Sequence, residues 1–141
     1  MRPPLTIAVD FDGTIVEHRY PKIGNELPFA IETLRALQEK GHKLILWTYR
    51  AEKELIEAVE FCRKKGLEFY AVNKNYPEEK LNGNISRKIL ADLYIDDRNY
   101  GGMPNWTDIY HSLHPEERID AERTEIKSWW RKIESLQRGI R

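Results

Sequence analysis

The chain has 141 residues, 33% charged and 40% hydrophobic, with 23 Lys+Arg against 23 Asp+Glu. That length predicts one domain, and the charge balance argues against a broadly basic nucleic-acid surface or an acidic disordered tail. No window approaches an apolar membrane span, the Met1-Arg2-Pro3-Pro4 start lacks a signal-peptide pattern, and the lone Cys62 excludes an internal disulfide and a cysteine-based zinc cage, so a soluble, cytoplasmic domain with no membrane partner is expected.

Leu5 to Val9 is a β-prone run that ends at Asp10. A polar, turn-rich stretch from Asp12 to Pro28 follows. Ile31, Leu34 and Leu37 then recur at helical spacing, and Gly41 stops that helix. Lys43 to Trp47 reads as a second buried strand, ending at Thr48. Residues 52–65 form a helix with Leu55, Ile56, Val59 and Cys62 in one stripe. Arg63, Lys64 and Lys65 suit its C-terminal dipole, and Gly66 ends it.

Leu67 to Val72 is a third strand, Asn73 to Ser86 a loop, and Leu93-Tyr94-Ile95 a fourth strand ending in Asp96-Asp97. Gly101-Gly102-Met103-Pro104 marks a turn. The remainder, from about Pro115, is a helix with Ile119, Ile126, Trp130, Ile133 and Ile140 near one face.

Strands alternating with helices imply βαβ units and a mainly parallel sheet. The expected architecture is a Rossmann-like α/β three-layer sandwich with strand order 3-2-1-4. Residues 1–114 form the core, and 115–141 a C-terminal helical extension on that core or at a homo-oligomer contact. Trp129-Trp130 favour such packing over nucleic-acid stacking.

Three strands end in compact polar groups: Asp10-Phe11-Asp12, Thr48 and Asp96-Asp97. Open α/β sheets bind ligands outside the carboxyl ends of strands, where strand order reverses. With order 3-2-1-4 that point lies between strands 1 and 4, and the two acidic pairs face each other across it. Two carboxylates about 5 Å apart repel by roughly 3 kcal/mol at an effective dielectric near 20. Such a cluster needs a cation or shared protons. Hard oxygen donors favour Mg²⁺, the usual partner of a phosphate substrate.

Asp10-Phe11-Asp12-Gly13-Thr14 resembles the first motif of the haloacid dehalogenase superfamily, in its phosphatase form. Leu44-Ile45-Leu46-Trp47-Thr48 resembles the second motif, and Lys88 with Leu93 to Asp97 resembles the third and fourth. Order and spacing agree over residues 5–102. The Tyr94 to Arg98 segment is similar to that of small nucleotidases and polynucleotide phosphatases in the superfamily.

The resemblance implies a Mg²⁺-dependent phosphatase that hydrolyses a phosphate monoester through an aspartyl-phosphate. In it Asp10 is the nucleophile, Asp12 the acid and then the base, and Thr48 a phosphoryl ligand. Lys88 pairs with Asp10 and the phosphoryl charge, with Arg87 and Lys80 as alternatives. Asp10, Asp12 through its main-chain carbonyl, Asp96 and Asp97 form the metal set. Phe11, Gly13, Thr14, Tyr49 and Arg50 are expected against substrate, with Asn73 and Arg98 weaker candidates of the same kind. The asp-x-asp pair also separates branches, because an alkoxide leaving group needs an acid and a halide does not.

Neither Thr14 to Trp47 nor Tyr49 to Arg87 has room for a cap domain. The substrate is a phosphorylated small molecule or a nucleic-acid terminus. The alternatives are a phosphotransferase or mutase using the same intermediate, and a catalytically weak phosphate- and Mg²⁺-binding protein. His18, His42, His111 and His114 show no partner pattern, and Cys62 belongs to the core.

Overall fold

The computed structural model describes residues 3–117, 129, 131–136 and 138. Within them, strands β1 (Thr6–Val9), β2 (Lys43–Leu46), β3 (Ala71–Val72) and β4 (Leu93–Ile95) alternate with helices α1 (Ala30–Glu39), α2 (Glu52–Lys64) and α3 (Trp106–Leu113). The strands form one parallel sheet in the order β3-β2-β1-β4, as expected from sequence. The register sets Val9 between Leu46 and Ile95, so the carboxyl ends of the three longest strands finish level.

The strands are nearly all apolar because the sheet is covered on both sides. Ile7, Val9, Leu44 and Leu46 pack with Leu34 and Leu37 of α1, Ala58 and Cys62 of α2, and Trp106 and Ile109 of α3. Burying each such large side chain contributes roughly 1.5–3 kcal/mol. Burial also pushes the Cys62 thiol up to about 12, so it behaves as an inert apolar group.

On the opposite face, Ala8, Ile45 and Ala71 meet Ile89, Trp47 and Tyr94. Right-handed crossovers explain the split. The β1–α1–β2 and β2–α2–β3 units step one way across the sheet, and the β3-to-β4 link doubles back past β1. That link, residues 73–92, is irregular, as expected for Asn73 to Ser86, so the third layer is a loop.

Several boundaries differ from the sequence reading. The third strand is short: Leu67 turns inward, with its N–H bonded to the Cys62 carbonyl at the end of α2, and only Ala71–Val72 reach the register of β2. Ile56 lies on the solvent side of α2, outside the buried stripe. Helix α3 was not anticipated, although its signals are present. Asn105 accepts from the Asp108 N–H at 2.9 Å as an N-cap, and Trp106, Ile109 and Leu113 give the apolar face.

Two histidines without an evident partner in sequence pair in the structure. His42 and His114 are buried and their Nε2 atoms lie 3.0 Å apart, while the Leu5 N–H donates to His42 Nδ1. With the Lys40–Glu117 ion pair, they hold the start of the C-terminal extension on the core. Residues 115–117, 129, 131–136 and 138 are helical, with Ile133 half-buried and Trp129 exposed. Ile119, Ile126, Trp130 and Ile140 lie outside the described residues. No helix among the described residues is long and apolar enough to cross a membrane.

Candidate active site

Parallel pairing brings the two acidic pairs together. The Asp10 N–H donates to the Ile95 carbonyl at 3.0 Å, so β1 and β4 stay in register up to the residue before Asp96. Asp10, Asp96 and Asp97 each place a carboxylate oxygen within 4.8 Å of the others. The electrostatic consequence falls on Asp10. Burial, then the neighbouring Asp96 charge, push its carboxyl from 3.8 up to about 7, against hydrogen bonds from the Phe11 backbone and Thr14.

Thr14 stands between the two segments. Its hydroxyl faces Asp10 Oδ2 at 3.2 Å and Asp97 Oδ1 at 3.3 Å, and accepts from the Asp97 N–H at 3.0 Å. One hydroxyl proton can serve only one of those carboxylates at a time. Gly13 makes the approach feasible. It has φ +82°, and a Cβ there would lie 2.2 Å from Asp97 Oδ2. From below, the Trp106 indole N–H donates to the Thr14 carbonyl at 2.9 Å, which ties the loop to α3.

Asp12 is held differently. Arg50 Nε and Nη2 donate to its two carboxylate oxygens at 2.7 and 2.8 Å. The same guanidinium donates to the carbonyls of Pro21, Lys22 and Glu54, and lies 5.1 and 5.2 Å from the ring centroids of Phe11 and Tyr20. Arg50 thereby joins the acid/base candidate to the 12–28 flap and to α2. Sequence reasoning placed Arg50 against substrate; its side chain is 0% exposed, so it has no surface to offer one. The Phe11 side chain is likewise buried, edge-on to Phe61 at 6.0 Å, because it alternates inward between two outward aspartates.

Thr48 and Tyr49 follow β2 at the level of Asp10. Asn73, just past β3, accepts from the Thr48 N–H at 2.9 Å and so fixes that turn. The Thr48 hydroxyl oxygen accepts from the Arg50 N–H at 3.2 Å, which leaves its own proton to donate. The expected cation is placed elsewhere: Lys88 Nζ lies over the Tyr94 ring, 5.2 Å from its centroid. Lys80 and Arg87 are exposed on the same loop. Among the described residues, Asp12 alone of the four aspartates has an ion-pair partner.

Asp10, Asp12, Asp96 and Thr48 border a cavity of about 570 Å³. Its remaining wall is Trp47 and Tyr49 after β2, Arg98 after β4, and His18 and Tyr20 from the flap. His18, Tyr20 and Trp47 escaped the sequence reading. The flap folds back by Glu17 N–H to Asn25 carbonyl and Leu27 N–H to Ile15 carbonyl bonds, a pairing its polar residues do not advertise.

No protein-family model and no curated protein matches the chain. Among solved structures, that of a conserved protein from Bacteroides thetaiotaomicron is similar, with 60% identity and a TM-score of 0.76 over 81% of this chain and 93% of that one. The chain belongs to the same family as that protein.

Proposed function

We propose that the chain is a divalent-cation-dependent phosphomonoesterase of the haloacid dehalogenase superfamily. The observation that carries this reading is the convergence of Asp10, Asp96 and Asp97 at the ends of two adjacent parallel strands. Among the described residues these three carboxylates have no ion-pair partner, and one of them is pushed up to about 7, which favours a bound cation. The donor set is all hard oxygen, which suits Mg²⁺. Asp10, Asp96 and the Asp12 main-chain carbonyl would hold it, with Asp97 orienting the group. When bound, the ion supplies neutralisation of carboxylate and phosphoryl charge.

In this reading a carboxylate oxygen of Asp10 attacks phosphorus, and the bond from phosphorus to the leaving oxygen breaks. Asp12 gives that oxygen its proton. A water then attacks the aspartyl-phosphate, Asp12 takes the water's proton, and phosphate leaves with Asp10 restored. The Thr48 hydroxyl donates to a phosphoryl oxygen throughout. Both Asp12 oxygens accept from Arg50, and each keeps a second lone pair for the transferred proton. A cytoplasmic setting belongs to the same proposal, supported by the single buried thiol.

The test is phosphate release from p-nitrophenyl phosphate with Mg²⁺. Activity should vanish with a chelator and return with Mg²⁺. Asp10→Asn should lower it about 10³-fold or more. A folded Asp10→Asn protein with undiminished turnover overturns the proposal.

A further inference from the structure

We propose that the substrate is a nucleoside monophosphate, its base held on the aromatic wall beside the carboxylates. This rests on the phosphatase reading and adds to it what the leaving group must be. Tyr49 is 91% exposed and Tyr20 43% exposed, yet both border the cavity that contains Asp10 and Asp96. Single exposed rings are ordinary on protein surfaces. Here two chain segments place rings at one cavity: Trp47 and Tyr49 follow β2, and Tyr20 comes from the flap. Tyr20 and Tyr49 meet edge to face, 6.2 Å apart at 70°.

The wall is also preorganised. Tyr20 lies against the Arg50 guanidinium, which is itself fixed by Asp12 and three carbonyls. A ring that docks on a rigid surface loses less on ordering. Flat heterocycles stack on such rings whatever their sequence or exocyclic groups.

Donors distinguish a nucleotide from a bare aryl ester. Arg98 and His18 border the same cavity and offer donors to sugar hydroxyls or base edges. The volume, about 570 Å³, lies within the roughly 300–1,000 Å³ of ligand-sized sites.

Ribose 5-phosphate is the informative control, because it keeps phosphate and pentose and lacks the base. The kcat/KM for nucleoside 5′-monophosphates should exceed that for ribose 5-phosphate by roughly 10- to 100-fold. Tyr49→Ala should collapse that ratio, mainly through KM; a melting curve checks that this exposed substitution leaves the fold intact. Equal turnover of the two substrates overturns the base site and spares the phosphatase reading. A ratio that survives Tyr49→Ala also overturns it. A terminal phosphate on single-stranded DNA turned over tenfold better than the mononucleotide overturns the monomeric substrate. Calorimetry of nucleoside monophosphate and ribose 5-phosphate on Asp10→Asn with Mg²⁺ separates the remaining case. Base-dependent binding lost in Asp10→Asn/Tyr49→Ala supports the ring site even where no phosphate is released, and base-independent binding rejects it.

Discussion

Arg50 grips both carboxylate oxygens of Asp12 from a position with no side-chain exposure. The pair links residues 38 positions apart, and the aspartate keeps 12% of its side chain exposed toward the cavity. A hydrogen bond to Asp12 comes first among the causes that hold the Arg50 guanidinium above its ordinary range. Geometry of this kind makes Arg50 a positioning residue for the acid/base step.

Removing it should reveal both roles. Arg50→Met leaves a carboxylate and three carbonyls without their donor, at a cost of about 3 kcal/mol and a melting temperature lower by about 10 °C. Arg50→Lys keeps the charge and loses the fork, so it should fall between. Misplacing Asp12 should slow alkyl phosphates more than p-nitrophenyl phosphate, whose leaving group needs no acid. A loss of activity equal for both substrates argues that Arg50 only supports the fold.

Asp10 should make stability depend on pH. Its carboxyl sits near 3.8 ordinarily and is pushed up to about 7 in the folded chain. Between those values the folded state binds a proton that the unfolded chain has lost, so stability falls as pH rises from about 4 to about 7. Asp10→Asn should flatten that fall and raise the melting temperature of the chelated protein by a few degrees at pH 8. Mg²⁺ must displace the same proton, so its stabilising shift should grow from pH 5.5 to pH 8. A shift constant across that range contradicts the shared Asp10 site.

At Gly13 two constraints coincide, a positive φ and the Asp97 carboxylate 2.2 Å from a Cβ. Gly13→Ala should cost about 1–3 kcal/mol and push Asp97 away from Thr14. Adding Asp97→Ala removes the clash, so the double variant should melt above Gly13→Ala alone. Strictly additive losses would show that the two residues do not touch.

Trp106→Phe tests the support under the site. It removes the N–H that satisfies the buried Thr14 carbonyl, for a loss of about 1–3 kcal/mol. Turnover should fall with it, since Thr14 bridges Asp10 and Asp97. Unchanged stability would place a different donor on that carbonyl.

Local pattern was enough for the sheet and for the identity of its acidic residues. Each strand is a short apolar run stopped by a polar residue, and right-handed crossovers leave few arrangements for such units. Asp10, Asp96 and Thr48 sit where the chain leaves a strand, and register alone carries them to one edge. Long side chains and irregular links were another matter. Arg50 follows Thr48 by two residues, yet its direction depends on Asp12, Pro21 and Lys22, brought near by the flap. Lys88 over Tyr94, the His42–His114 pair and the Tyr20–Tyr49 wall likewise join distant segments. Backbone periodicity reports which face a residue takes; the partner of a flexible or buried polar group is chosen only when separate elements pack and its hydrogen-bonding needs must be met away from water.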